Sequence, residues 1–171
     1  MSEFDETDIR IVNLLLQDGR MSASAIARRL GDISARAVRY RIERMVAGNL
    51  IHISAVARPQ AFGFTTIADI WMEVESDEII NVARTLASFD QISYVACAIG
   101  ETDVSIQVVA RDTAEIYRFV TDVVRKVPGV RKTTTSIVPI ILKDVYQWRI
   151  PERAVGAPSG REPARESRGQ Q

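Results

Sequence analysis

Two periods of hydrophobic repetition divide this chain. From residue 5 to residue 47 apolar side chains recur three and four positions apart, whereas from residue 64 to residue 141 alternation by two takes over, interrupted twice by helical stretches. In the first part, "FDETDIRIVNLLLQDGR" predicts a helix with Asp5 as its cap, Asp8 three residues on, and Ile9, Val12, Leu15 and Leu16 as the buried stripe before Gly19 ends it. "SASAIARRLGD" predicts a short second helix capped by Ser22, with Ile26 and Leu30 inward. "DISARAVRYRIERM" predicts a third, which starts at the N-cap Ser34 and buries Val38, Ile42, Met45 and Val46 at i, i+4, i+7 and i+8. Three short helices, the last two joined by a tight turn containing Gly31, define a helix-turn-helix whose third helix is the reader. The following "LIHISAVA" predicts a strand, the wing of that domain.

After the Pro- and Gly-containing "RPQAFG" (58–63), which reads as a linker, the pattern changes. "FTTIADIWMEVE" predicts a strand, "SDEIINVARTLASF" a helix capped by Ser76 or Asp77, and "ISYVACAIG" and "VSIQVVA" two strands joined at "ETD". "DTAEIYRFVTDVVRKV" predicts a helix with Ile116, Val120, Val123, Val124 and Val127 inward, stopped by Pro128 and Gly129, and "VRKTTTSIVPII" a closing strand. This order, βαββαβ, is the ferredoxin-like arrangement with both helices on one face of an antiparallel sheet. The fold class is therefore α+β: a winged helix-turn-helix domain over 1–57, a linker over 58–63, and a ferredoxin-like domain over 64–150. The tail, 151–171, has three prolines, three glycines and mixed charge with hardly an apolar anchor, a composition that predicts disorder.

Alternation also describes the sheet's uncovered face. Ala68, Ile70, Met72 and Val74, with Val104, Ile106 and Val108, form one apolar set. The other set, Ile67, Asp69, Trp71, Glu73, Ser105, Gln107 and Val109, is too polar for a core and too apolar for open water, which suits a partly wet interface between copies. A symmetric homodimer would pair that patch with itself, and two operator half-sites require a dimer.

The outward side of the third helix holds Arg36, Tyr40, Glu43 and Ala47, with Arg39 on one flank and Arg44 on the other. An arginine-rich helical face is commonly only solvated surface; guanidinium and phenol groups on the first turns of a reading helix are also the chemistry that base edges and phosphates need. The chain's 22 basic and 22 acidic residues balance, but not locally. Seven arginines (20, 28, 29, 36, 39, 41 and 44) fall between Arg20 and Arg44 against Asp32 and Glu43, whereas residues 58–150 carry ten basic and twelve acidic side chains. Double-stranded DNA is thus expected at the first region alone, with Ser34, Arg36, Arg39, Tyr40 and Arg44 as the DNA-binding set.

Other chemistries find little support. Cys97, in the apolar run "YVACAI", reads as a small core residue, and His52, the single histidine, lies in the expected wing strand. Glycine-rich phosphate loops, catalytic triads and paired carboxylates are absent from the sequence, so no enzyme, cofactor or metal is expected. The acidic opening "MSEFDETD" is unlike a signal peptide and no apolar run approaches a membrane span, which predicts a cytoplasmic, nucleoid-associated protein that does not enter membranes.

The residues also carry a resemblance. "FDETDIRIVNLLLQDGRMSASAIARRLG" is similar to the first two helices of the Lrp/AsnC, or feast/famine, transcription regulators, "ISARAVRYRIERM" to their recognition helix, and "CAIGETDVSIQVVARD" followed by "KVPGV" to their ligand domain. The resemblance covers roughly residues 4–146. It implies a DNA-binding domain joined to an effector-binding domain, dimeric and often octameric, that responds to amino acids or related metabolites. Read alone, Gly100-Glu101-Thr102-Asp103 is a hairpin turn. The resemblance makes Gly100, Glu101, Thr102 and Asp103 the effector-binding turn, with Thr133 and Thr135 lining the cleft from a neighbouring subunit. Two departures stand out: Glu101 replaces a shorter aspartate, and the turn into the wing reads Gly48-Asn49 where the family more often places its glycine second. For Arg41, a family arginine on the buried side of the helix, a structural ion pair and a DNA contact both remain open. Two alternatives stand beside the regulator. Haem-pathway decarboxylases resemble the same two-domain architecture but would need histidine or other basic groups at a tetrapyrrole pocket; an architectural DNA-binding protein would act without an effector.

Overall fold

The computed structural model describes residues 4–151; the expected disorder of 151–171 falls outside that range beyond Pro151. The chain forms two compact units. One takes the described residues up to Val56 together with those from Lys143 on, and the other is Ala57–Leu142. Residues 143–150, expected with the second domain, thus belong to the first.

In the first unit, α1 (Glu6–Gln17) begins at a capping box: the Asp5 carboxylate accepts from the Asp8 N–H at 2.9 Å and the Asp8 carboxylate from the Asp5 N–H at 3.0 Å. Helices α2 (Ala23–Leu30) and α3 (Ala35–Ala47) start at Ser22 and Ser34, whose hydroxyls accept from Ala25 and Ala37 at 3.2 Å. Gly31, left-handed at φ 79°, ends α2 and makes the sharp turn between them. The core joins Ile11, Val12, Ile26, Val38 and Met45.

Both helical stripes are turned from their expected setting. On α1, Ile9 and Val12 are buried, but so are Ile11 and Asp8, while Leu15 is half-buried and Leu16 exposed. On α3, Val38 and Met45 are buried, Ile42 half-buried and Val46 47% exposed. Val46 lies about 80° round the helix from Val38, and Arg41 about 60° the other way. Arg41 reaches carboxylates on α1 and its neighbour, which draws that side of α3 inward and turns Val46 out.

The expected wing strand is absent. Asn49, at φ 56°, takes the left-handed turn, and Leu50 N–H closes on the Met45 carbonyl at 2.8 Å. Residues 51–58 then run without a ladder partner among the described residues, leaving His52, Ile53 and Val56 exposed. A strand exists only where a second one meets its backbone groups, and the sequence pattern could not supply that partner.

The segment after Leu142 completes this unit. A short 3-10 turn (Val145–Gln147) leads to Ile150, whose N–H donates to the Asn13 side-chain oxygen at 2.9 Å and whose carbonyl accepts from the Asn13 amide at 3.0 Å. Ile150 packs against the helical core.

The second unit opens with a 3-10 turn (Pro59–Phe62) and has the expected βαββαβ order: β1 (Thr66–Val74), α4 (Ile79–Leu86), β2 (Ile92–Cys97), β3 (Val104–Ala110), α5 (Thr113–Asp122) and β4 (Val130–Ile137). The sheet is antiparallel with order β2-β3-β1-β4. Ala68, Ile70, Met72 and Val74 of β1 and Val104, Ile106 and Val108 of β3 are buried in one core with Val82 and Leu86 of α4 and Ile116, Phe119 and Val120 of α5. Phe119 meets Phe89 edge to face at 5.7 Å.

Four local expectations shift. Neither Ser76 nor Asp77 caps α4; a turn closed by Glu78 N–H on the Glu75 carbonyl at 2.9 Å delays the helix to Ile79. Helix α5, capped by Asp112, ends at Asp122, and a 3-10 turn (Val124–Lys126) replaces its last part; Val123 stays half-buried while Val124 and Val127 are buried. Pro128 disfavours helical geometry at Val127, pulling the helix end back. Ile67, assigned to the wet face, is buried. Cys97 is exposed, because it ends an edge strand.

Candidate DNA-binding and effector sites

Helix α3 presents four of the five expected DNA-binding side chains outward; the fifth, Arg44, is held by Asp8. Ser34, Arg36, Arg39 and Tyr40 are exposed, Tyr40 at 65%. Among the described residues neither Arg36 nor Arg39 has a carboxylate partner. The opposite side anchors the helix through Val38 and Met45, so the exposed groups sit on a rigid rod. Arg10 holds the turn before α3 in place. Its guanidinium pairs with Asp32 at 2.7 Å and donates to the Leu30 carbonyl at 3.3 Å, and this bond holds the Asp32 carboxyl below its ordinary pKa.

The other two arginines of α3 face α1. Arg41 pairs with Asp5 at 2.7 Å and with Asp8 at 2.9 Å, and Arg44 pairs with Asp8. Partial burial works to raise the Asp5 pKa, but the Arg41 guanidinium and the Asp8 N–H outweigh it and leave the carboxyl below the usual range. Of the two readings of Arg41, the geometry realises the ion pair. Arg44 shares its charge with Asp8 while remaining partly exposed. In the sequence Asp8 stood out only as the residue three after the Asp5 cap, not as a member of this cluster. Its signal was available: a carboxylate on the buried face of an amphipathic helix requires partners, and arginines on the facing helix were the candidates.

In the second unit, the turn Gly100–Asp103 joins β2 to β3 at the end of the sheet where Met72 pairs with Val104. Gly100 has φ 151°, a conformation side chains resist. Asp103 is tied down at three points: its N–H donates to the Met72 carbonyl, its carbonyl accepts from Ala98, and its carboxylate accepts from the Val74 N–H, each at 2.8 Å. The last bond has a clear cause: the β1–β3 ladder stops at Met72–Val104, so the next amide on that edge of β1, Val74 N–H, has no strand partner and the Asp103 carboxylate supplies one. Glu101 is exposed and Thr102 half-buried.

Thr133 and Thr135 pair with Met72 and Ile70, which places them on the helix-covered side of the sheet, half-buried and exposed respectively. The open face carries Lys132 and Thr134 instead, opposite Glu73 and Trp71. The Glu73 carboxylate, bonded to Lys132 Nζ at 2.8 Å, raises the lysine pKa, with a smaller contribution from Glu101. Thr133 therefore joins the Asp103 end of the sheet, while the open face shows an ion pair there. A shallow groove of about 250 Å³ among Gln91, Val109, Arg118, Phe119 and Asp122 lies at the other end of β3.

A helix-turn-helix with a free basic reading helix and a βαββαβ domain together define a DNA-binding regulator with a separate ligand domain. Family comparison agrees: residues 4–46 match the AsnC-type helix-turn-helix domain and residues 67–147 the Lrp/AsnC ligand binding domain. The chain belongs to the Lrp/AsnC family of transcriptional regulators. It is 33% identical over 145 residues to the uncharacterized HTH-type transcriptional regulator PH0140 of Pyrococcus horikoshii, covering 84% of this chain and 91% of that protein. It is 28% identical over 135 residues to the HTH-type transcriptional regulator FL11 of Pyrococcus abyssi, covering 78% and 88%. Among solved structures, Escherichia coli AsnC shares the fold with a TM-score of 0.74 at 19% identity, over 84% of this chain and 98% of that one. The transcriptional regulator NMB0573 of Neisseria meningitidis, solved as an L-Met complex, gives 0.76 at 22% identity, over 82% and 93%.

Proposed function

We propose that this regulator binds DNA sequence-specifically through the first turns of α3 and adjusts that binding to an amino acid or related small metabolite taken at the Gly100–Asp103 turn. The observation that carries the reading is the division of labour among the arginines of α3: Arg36 and Arg39 stand free beside Tyr40, while Arg41 and Arg44 are held by α1. Ser34 lies at the head of the same surface and Arg44 at its flank, its charge already shared with Asp8. Free guanidinium groups at a helix's leading turns suit guanine edges and phosphates.

The effector half of the reading rests on chemistry. A zwitterion needs an acceptor for its ammonium and donors for its carboxylate. Exposed Glu101 offers the first and the open backbone at Gly100 the second, with Thr102, Asp103 and Thr133 at the same end of the sheet and Thr135 two residues further along β4. The L-Met complex of the Neisseria relative supports an amino acid as the class. A homodimer or octamer built on the mixed sheet face around Trp71 would close a cleft over the turn. The protein is then a nucleoid-associated cytoplasmic factor, not an enzyme, with duplex DNA as its partner. A gel shift on the DNA upstream of its own gene, repeated with each of the twenty amino acids, tests the proposal. Binding that one or a few of them alter several-fold is expected; binding indifferent to all would remove the effector half, and no shift would remove the whole.

A further inference from the structure

Asp8 is the one buried charged residue among those described, at 1% exposure, and its surroundings exceed what a helix cap requires. The capping box uses one contact, the Asp5 N–H on Oδ2. The remaining capacity goes to two cations of the reading helix, Arg41 on Oδ1 and Arg44 on Oδ2, while Asp5 takes a second bond from Arg41. A carboxylate is withdrawn from water only at considerable cost unless it is fully partnered, and this one is: no buried side-chain polar atom among the described residues lacks a partner.

We propose that Asp8 is a specificity-determining positioning residue of the DNA surface, which withholds the charge of Arg41 and Arg44 from phosphate and leaves Arg36, Arg39 and Tyr40 to read. The inference rests on the proposed DNA-binding role of α3. A helix with four arginines within nine positions would adhere to any duplex, because phosphate contacts are blind to sequence. Holding two of them on the α1 side removes phosphate contacts that a loosely oriented, non-specific complex would gain and that the oriented reading complex does not use, and so raises the ratio of specific to non-specific binding. The same two ion pairs fix the rotation of α3 on α1, which is why Val46 rather than Arg41 is turned to solvent. Asp8 touches no base in this account; it acts through the arginines it holds.

The test measures anisotropy of the full chain on a mixed-sequence 40-bp duplex and on the tightest duplex enriched from a random library, across a salt series. Asp8→Asn keeps the shape and releases Arg44, whose one carboxylate partner among the described residues it is, while Asp5 still holds Arg41. It is expected to steepen the salt dependence by about one in log–log slope, to strengthen mixed-sequence binding roughly tenfold at low salt, and to reduce the specificity ratio. Adding Arg44→Gln to Asp8→Asn should take back that unit of slope. If Asp8→Asn fails to fold by circular dichroism, Arg41→Gln alone decides: a parental slope supports withholding, and a slope lowered by about one makes Arg41 a phosphate contact and overturns it. A folded Asp8→Asn protein with parental slope and ratio also overturns it, leaving the DNA-binding reading intact. A parent that binds neither duplex overturns that reading as well.

Discussion

The two candidate sites stand in opposite relations to the scaffolds that carry them. On α3 the proposed reading groups, Arg36, Arg39 and Tyr40, project from a helix whose other side holds it in place, and the fold makes no use of them. At the Gly100–Asp103 turn, Asp103 is bonded through its N–H, its carbonyl and its carboxylate, while the Glu101 side chain is exposed. Function can be separated from stability across the first surface, whereas on the second it can be at Glu101 and not at Asp103.

The strongest way to test the structural half of that contrast is Gly129→Ala, immediately before β4 and across β1 from Asp103. Gly129 has φ 91°, its carbonyl accepts from Glu75 at 2.9 Å, and an added Cβ would lie 2.7 Å from the Glu78 Cβ. Strain and overlap together should cost roughly 3 kcal/mol or more, seen as a lower urea midpoint. Next comes Asp103→Ala, which strands the Val74 N–H and should cost about 1–3 kcal/mol in the same measurement. Glu101→Ala should leave that midpoint within about 0.5 kcal/mol yet abolish the effector's influence on DNA binding. Equal destabilisation by the two would erase the distinction between pin and contact.

The smallest effect concerns acid. The folded pKa of Asp5 lies below its ordinary 3.8. Its contribution to stability is thus complete above that value and is lost as pH falls through the lower folded pKa. Being half-exposed, Asp5 contributes little, and its Asn variant should flatten only the acid limb of a pH–stability curve.

Much of this was legible in the sequence because it is local. Asp5, Ser22 and Ser34 cap the helices that follow them, and alternation places Ile70, Met72, Ile106 and Val108 in the core. What escaped depends on partners distant in sequence. The fit of Asp8 to Arg41 and Arg44 spans more than thirty residues and sets the rotation of two helices. Asn13 binds Ile150 across 137 positions, moving residues 143–150 from one unit to the other. Strand character in 50–57 was real as a propensity but had no second strand to meet, and the exposure of Cys97 follows from a sheet order that no local pattern contains.

The central claim is that α3 reads DNA through its free arginines, and the most direct measurement is the affinity of Arg36→Ala and Arg39→Ala for the library-selected duplex, with urea midpoints taken in parallel. Unchanged midpoints are expected and, for at least one variant, a loss of about 1–3 kcal/mol on the selected duplex that exceeds the loss on mixed sequence. Parental affinity and discrimination in both folded variants would contradict it, and the reading surface would have to be sought on another face.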